Sequence, residues 1–203
     1  MESNKKVLMY GGAFDPPHSG HRRLLESAIN EIRPDVTLVI PTGVSPHKKK
    51  SGTPYWCRYD MAGKTFSDLS DTVIISSLES KGRRNYTSQT MKAVRKMYPG
   101  CEVYLLIGSD MLISFHTWHL FRRILSWCTL LAGSREDASL SEFEEAAVKL
   151  EKLGGKVRML RFRPLEISST ELRNGIREGK DMSAFLTEGV LEYIRKRGLY
   201  QKK

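Results

Sequence analysis

Along the chain, short apolar runs alternate with stretches in which apolar residues recur at helical spacing. Residues 7–10 form the first run, and its closure by Gly11 and Gly12 predicts a buried strand opening into a tight loop. Leu24, Leu25, Ala28, Ile29 and Ile32 then recur every three or four positions, which predicts a helix stopped by Pro34. A second strand is expected at 36–40. Thr53 and Pro54 read as the cap and first-turn residue of a helix whose Tyr55, Tyr59, Ala62, Phe66 and Leu69 share a face, with a strand after it at 73–76.

Thr87, Met91, Val94 and Tyr98 mark another helix, closed by Pro99 and Gly100 before the strongly apolar strand 103–107. A helix around 118–125 precedes a strand at 128–132. Ser139 and Glu142 then read as the capping box of a helix ending near Gly154, and the last strand is expected at 157–162. From 168 to 203 the pattern predicts two or three helices, the last centred on 190–196 and closed by Gly198. Strand and helix alternate without an internal repeat. The expected architecture is therefore α/β: a Rossmann-like doubly wound parallel sheet, in one domain over 1–203 with a small C-terminal helical region at about 168–203.

At 40% apolar and 28% charged residues, the composition is that of an ordinary packed protein. The excess of 33 basic over 23 acidic residues leaves a net charge of +10, which favours phosphates, nucleotides, nucleic acid or an acidic lipid surface as partners. Charge alone does not choose among them. Cys57, Cys101 and Cys128 lie too far apart in sequence to suggest a disulfide framework or a four-cysteine zinc site. Residues 1–6 are polar and the run after them is too short for a signal peptide, so a cytoplasmic location is expected, with no membrane partner.

Candidate chemistry gathers after the first strand, where a parallel sheet binds its ligands. In GGAFDPPHSGH (11–21), Gly11 and Gly12 let backbone N–H groups approach a phosphate, and the following helix turns its positive end to the same anion. Asp15 is placed to fix the loop by accepting local backbone bonds. Pro16 and Pro17 delay helix onset to about Ser19 or Gly20, so His18 and His21 bracket the helix entrance and can donate to a phosphate gaining charge. The plainer reading is a Gly-Pro turn with two histidines capping neighbouring carbonyls. Zinc binding by the two histidines lacks a nearby third ligand, and no G-x-G-x-x-G fingerprint occurs here.

Ser168 and Glu171 form a second capping box, which places Ser169 and Thr170 at another positive helix end, with the Arg173 fork just beyond. Taken alone this is a well-capped surface helix. Taken with the first loop it suggests a polyphosphate held between two helix ends.

GGAFDPPHSGH resembles the signature of the H-x-G-H nucleotidyltransferase superfamily, and its double-proline form is similar to that of nicotinate mononucleotide adenylyltransferases. PHK (46–48), NYTSQT (85–90), IGSD (107–110), Trp118, Arg135, ISSTELR (167–173) and YIRKRGLY (193–200) follow in that family's order, over nearly the whole chain. The resemblance implies transfer of AMP from ATP to nicotinate mononucleotide, giving nicotinate adenine dinucleotide and pyrophosphate in NAD biosynthesis. It implies that His18 and His21 stabilise the transition state, and that Gly11, Gly12, Ala13, Phe14, Ser168, Ser169 and Thr170 bind ATP phosphates, with Arg173 on the departing pyrophosphate. It further assigns the ribose to Gly108 and Asp110. The acceptor nucleotide falls to Lys48, Thr87 and Trp118, which would stack on the pyridine ring, and Arg135 is a further candidate.

The cofactor expected is Mg2+ (magnesium) entering with ATP and held mainly by substrate phosphates, with no metal ligand set in the protein. Two residues depart from the family pattern: Ala13 where threonine or serine is usual, and Gln89 where aspartate is common. A related transferase acting on nicotinamide mononucleotide or another small phosphorylated acceptor is the nearest alternative. A basic nucleic-acid-binding module is the alternative from another class, resting on the net charge, Lys48, Lys49, Lys50, Arg158, Arg161 and Arg163, although no nucleic-acid motif occurs. His116 and His119 repeat the three-residue spacing and read as a solvated or helix-facing pair. The pattern leaves a homo-oligomer open.

Overall fold

Six strands pair side by side; the four inner ones are strongly apolar and buried on both faces within a sheet covered by helices, while the edge strands are partly exposed. The six are β1 (Lys6–Gly12), β2 (Val36–Pro41), β3 (Val73–Ile75), β4 (Glu102–Gly108), β5 (Thr129–Gly133) and β6 (Lys156–Leu160), in the spatial order β3-β2-β1-β4-β5-β6. Every pairing is parallel, with Met9 opposite Leu38 on one side and Leu105 on the other. The computed structural model describes residues 5–44, 52–80, 85–133, 140–160, 165 and 167–201.

Side chains alternate between two cores, as strand geometry requires. Val7, Met9, Leu38, Ile40, Val103, Leu105, Leu130 and Ala132 face one layer, where they pack on α3 (Thr87–Met97), α5 (Phe121–Trp127) and α6 (Leu140–Lys152). Leu8, Tyr10, Val39, Tyr104, Leu106 and Leu131 face the other, against α1 (Ser19–Ile32) and α2 (Tyr55–Phe66). A third cluster of Met61, Leu172, Leu186, Val190 and Ile194 packs α7 (Ser169–Arg177) and α8 (Glu188–Arg197) onto α2. Among the described residues no helix is long and apolar enough to cross a membrane.

The chain builds outward from β1 to β3, then returns to lay β4 beside β1. Loops leaving β1 and β4 therefore diverge to opposite faces, which opens a crevice at the carboxyl ends of the two central strands.

Three local expectations are corrected. Pro54, not Thr53, occupies the N-cap of α2, with no side-chain cap bond, and the helix ends at Phe66, leaving Leu69 beyond it. The helix expected around 118–125 is present but starts late, after a short α4 (Ser109–Ile113) and a 3-10 turn (Phe115–Thr117). Trp118 is then extended (φ −72, ψ 144) and Leu120 left-handed (φ 57), so the helix starts only at Phe121. Ser139 and the end of the last expected strand, 161–162, lie outside the described residues.

Candidate active site

The loop leaving β1 is built around an inward turn at Phe14, whose backbone is left-handed (φ 49). A Cβ on Gly12 would stand 2.7 Å from the Phe14 ring, so glycine is what allows that ring to fold back beneath the loop. Phe14 is 1% exposed, and its ring stands edge-on to Tyr10 (5.3 Å), Phe66 (5.2 Å) and His21 (5.3 Å). Its side chain is core; only its backbone is placed to meet a ligand.

His18 is the N-cap of α1, with extended backbone, and its Nδ1 accepts from the Gly20 N–H at 3.2 Å. With Nδ1 accepting, a neutral imidazole carries its proton on Nε2, the nitrogen turned away from the cap. The His18 and His21 rings lie 3.8 Å apart between centroids, tilted by 43°. The first turn of α1 contains no acidic residue, and Arg22 and Arg23 follow directly. Two imidazoles thus share the positive end of a helix with no carboxylate in its first turn.

α7 meets this loop from the other side. Its cap is a reciprocal box: the Ser168 hydroxyl oxygen accepts from the Glu171 N–H (3.2 Å), while the Glu171 carboxylate accepts from the Ser168 N–H (2.8 Å). Ser169 donates its hydroxyl to the Pro16 carbonyl (2.9 Å), and Arg173 donates through Nη1 to the Asp15 carbonyl (2.7 Å) and through Nη2 to the Thr170 hydroxyl oxygen (3.0 Å). The Asp15 carboxylate accepts from the Tyr200 hydroxyl at 2.6 Å, beyond the local backbone partners that the sequence pattern suggested. Ser19 donates through its N–H and its hydroxyl to the Phe185 carbonyl (2.9 and 2.7 Å). The loop, α1 and α7 are therefore one assembled unit.

Beneath it lies a polar network that sequence reasoning missed. Arg58, 3% exposed, donates to the carbonyls of Ala13 (2.7 Å), Gly43 (3.3 Å) and Thr53 (3.4 Å), so one guanidinium ties the loops after β1 and β2 to the start of α2. Burial lowers its pKa, yet a guanidinium still stays charged. Glu79 accepts from the Thr90 hydroxyl (2.7 Å) and the Gly43 N–H (3.1 Å), and burial raises its pKa above the ordinary carboxylate value. A signal for Arg58 was present: it shares the buried face of α2 with Met61, Ala62, Thr65 and Phe66.

At the neighbouring strand end, Gly108 is the N-cap of α4, and Asp110 is exposed in the first turn. A Cβ on Gly108 would stand 2.9 Å from the Asp110 carboxylate. Burial first, and the Asp110 charge second, push the Tyr10 phenol upward, which places Asp110 in electrostatic reach of the β1 strand. Thr87 is the half-buried first residue of α3, and the Gln89 side-chain oxygen accepts from the Tyr86 N–H at 3.3 Å. Trp118 is half-buried, 4.9 Å from the Phe115 ring. His119 stacks on Tyr86 at 4.4 Å, joining the Trp118 segment to the start of α3, and His116 places Nδ1 3.1 Å from the Ile113 carbonyl.

The structure thus brings Gly11, Gly12, Ala13, Phe14, His18 and His21 together with Ser168, Ser169, Thr170 and Arg173. Gly108 and Asp110 stand at the adjoining strand end, and the segments that carry Thr87 and Trp118 meet at the Tyr86–His119 pair. Lys48 and Arg135 lie outside the described residues. Among the described residues no group of three or more His, Cys, Asp or Glu side chains is arranged to hold a metal ion.

A family model described as cytidylyltransferase-like matches residues 9–175. The chain is 33% identical over 201 residues to a Clostridium tetani protein named "Probable nicotinate-nucleotide adenylyltransferase", covering 97% of this chain and 100% of that one. A protein of the same name from Gemmatimonas aurantiaca is 30% identical over 197 residues, 97% of this chain and 93% of that one. Among solved structures, the Plasmodium falciparum nicotinic acid mononucleotide adenylyltransferase complexed with NaAD shares the fold, with a TM-score of 0.80 at 20% identity over 97% of each chain.

Proposed function

The chain belongs to the cytidylyltransferase-like family and, within it, to the nicotinate-nucleotide adenylyltransferases, and from that premise we propose the reaction and the roles of its residues. It transfers AMP from ATP to nicotinate mononucleotide, releasing pyrophosphate and forming nicotinate adenine dinucleotide for NAD biosynthesis. The observation that carries this reading is the pair of imidazoles 3.8 Å apart at the entrance of α1.

A phosphate oxygen of the mononucleotide attacks the α-phosphorus of ATP, and the bond to the bridging oxygen of the pyrophosphate breaks in line. The attacking monoester is mostly dianionic near neutrality, its second pKa being about 6, so no general base is needed. Negative charge develops on the phosphoryl oxygens, where His18 and His21 donate and the backbone N–H groups of 11–14 and the α1 dipole add a fixed positive field. Arg173 receives the departing pyrophosphate. Its guanidinium carries five N–H donors, and the bonds to Asp15 and Thr170 use two of them.

Gly108 and Asp110 receive the ribose, with the Asp110 carboxylate as acceptor for its hydroxyls. Trp118 stacks on the pyridine ring and Thr87 helps to read the ring's carboxylate, while Lys48 supports the acceptor's phosphate. Magnesium entering with ATP would be held mainly by the substrate phosphates, where it would neutralise part of their charge. The reaction is placed in the cytoplasm, where ATP is supplied.

Pyrophosphate release tests the reading, with ATP or CTP as donor and nicotinate or nicotinamide mononucleotide as acceptor. ATP with the nicotinate form is expected to turn over fastest. Silence with both pyridine mononucleotides would reject the assignment.

A further inference from the structure

We propose that Tyr200 is a positioning residue for this transfer, acting through Asp15 to hold the loop that presents the two imidazoles. The proposal rests on the adenylyl-transfer reading above. Tyr200 and Asp15 are 185 residues apart in sequence, yet the phenol donates to the carboxylate at 2.6 Å, the short distance of a charge-assisted hydrogen bond. Burial first, and the neighbouring Asp15 charge next, push the phenol upward, so the hydroxyl keeps its proton and remains a donor across the working pH range.

Tyr200 stands on a firm base. Gly198 turns the chain off α8 with a left-handed backbone (φ 59), and Tyr200 itself is left-handed (φ 63), a conformation that non-glycine residues adopt only where surrounding contacts hold them. Those contacts are visible: the Leu199 N–H bonds to the Ile194 carbonyl (3.0 Å), and Val190 and Ile194 pack on Met61. The Tyr193 hydroxyl reaches Asp60 (2.7 Å) and the Thr187 hydroxyl the Lys64 carbonyl (3.1 Å), so α8 is fastened to α2.

Asp15 is gripped at both ends, its carboxylate by Tyr200 and its carbonyl by Arg173. Between Asp15 and His18 stand only Pro16 and Pro17, both buried, whose rings fix their own φ angles. Few soft torsions separate the gripped residue from the imidazole. A shift of the Asp15 carboxylate is therefore transmitted to His18 rather than absorbed on the way, and small misplacements of a reacting group are costly in rate.

Tyr200→Phe keeps the ring and removes only the hydroxyl. The expected result is a fall in kcat of about tenfold or more, with weaker ATP binding by calorimetry and little change in Tm. The loss should vanish in an Asp15→Ala background, where the hydroxyl has no carboxylate to hold. Unchanged kcat and ATP affinity in Tyr200→Phe, or a lowered Tm with normal kinetics, would overturn the proposal, since a mere staple for α8 behaves that way. An equal loss with and without the Asp15 carboxylate would overturn it as well. Should Asp15→Ala fail to fold, the split between kcat and Tm in Tyr200→Phe decides alone. If the unmodified protein binds ATP but makes no dinucleotide, the acceptor assignment fails, while ATP calorimetry on Tyr200→Phe still decides the role of Tyr200.

Discussion

At α1 the cap is an imidazole, the first turn holds no carboxylate, and Arg22 and Arg23 follow; at α7 the cap is Ser168, and Glu171 closes a box over it. By the rules of helix stability the second arrangement is favourable, because an acid near the N-terminus offsets the dipole. The first is not, since it sets basic groups against the same positive end. Both helix ends face one loop, through the His18 cap and through the Ser169 and Arg173 bonds to Pro16 and Asp15. The difference separates two tasks. α7 is compensated from within and braces the loop, whereas α1 keeps a positive field that a polyphosphate can complete.

The sharpest way to break this contrast is to keep the α1 cap and remove its chemistry. Asparagine is a good N-cap, so His18→Asn retains an acceptor for the first-turn N–H groups while losing the imidazole donor. Turnover is expected to fall by about a hundredfold or more, the usual loss when one donor to a developing oxyanion is deleted. The melting temperature should stay near that of the unmodified protein. Near-normal turnover, measured by pyrophosphate release, would mean that His18 is only a cap, and the two helix ends would then differ in nothing that matters for catalysis.

Much of this site could be read before folding because its pieces are local. The runs 7–10 and 103–107 read as strands because both faces of a central parallel strand are buried, and the loop after β1 follows from where such strands end. The Ser168 box is likewise a contact between residues three apart. What escaped is long-range. Arg58 meets Ala13 across 45 residues and Tyr200 meets Asp15 across 185, distances at which periodicity carries no information. The start of the helix near Trp118 escaped for another reason: Trp118 is extended and packs on the core beside Phe115 of the 3-10 turn, so the helix begins only at Phe121. Tertiary packing overrode local preference there.

The comparison can also be sharpened from the α7 side by removing the charge and keeping the box. Glu171→Gln leaves an oxygen to accept from the Ser168 N–H, yet takes away the carboxylate that opposes an incoming phosphate. Stability should drop by about 0.3–1 kcal/mol as the dipole loses its counter-charge. ATP should bind about threefold more tightly, the effect of a repulsion worth a fraction of a kcal/mol. Calorimetry and thermal melting read the two changes separately. Weaker or unchanged ATP binding would place the polyphosphate away from α7 and confine the phosphate site to α1.

The smallest effect comes from a carboxylate that bonds to the first turn of α1 from outside that helix. Arg22 donates through both terminal nitrogens to Asp68, with Nη2 2.9 Å from Oδ2, and this hydrogen bonding holds the Asp68 carboxyl below the usual aspartate range. Arg22 is half-buried at 27% and Asp68 is exposed at 70%, so the contribution of the pair is screened and Asp68→Asn should cost under about 1 kcal/mol. Because the folded-state pKa is lowered, that contribution is whole above the ordinary aspartate value of about 3.9 and is lost as pH falls through the lowered one. Denaturation of both proteins should therefore show a small gap at neutral pH that closes in acid. A gap of unchanged size at the acid end would mean that the charge of Asp68 is not what steadies this end of α1, and that α1 tolerates its uncompensated dipole without help.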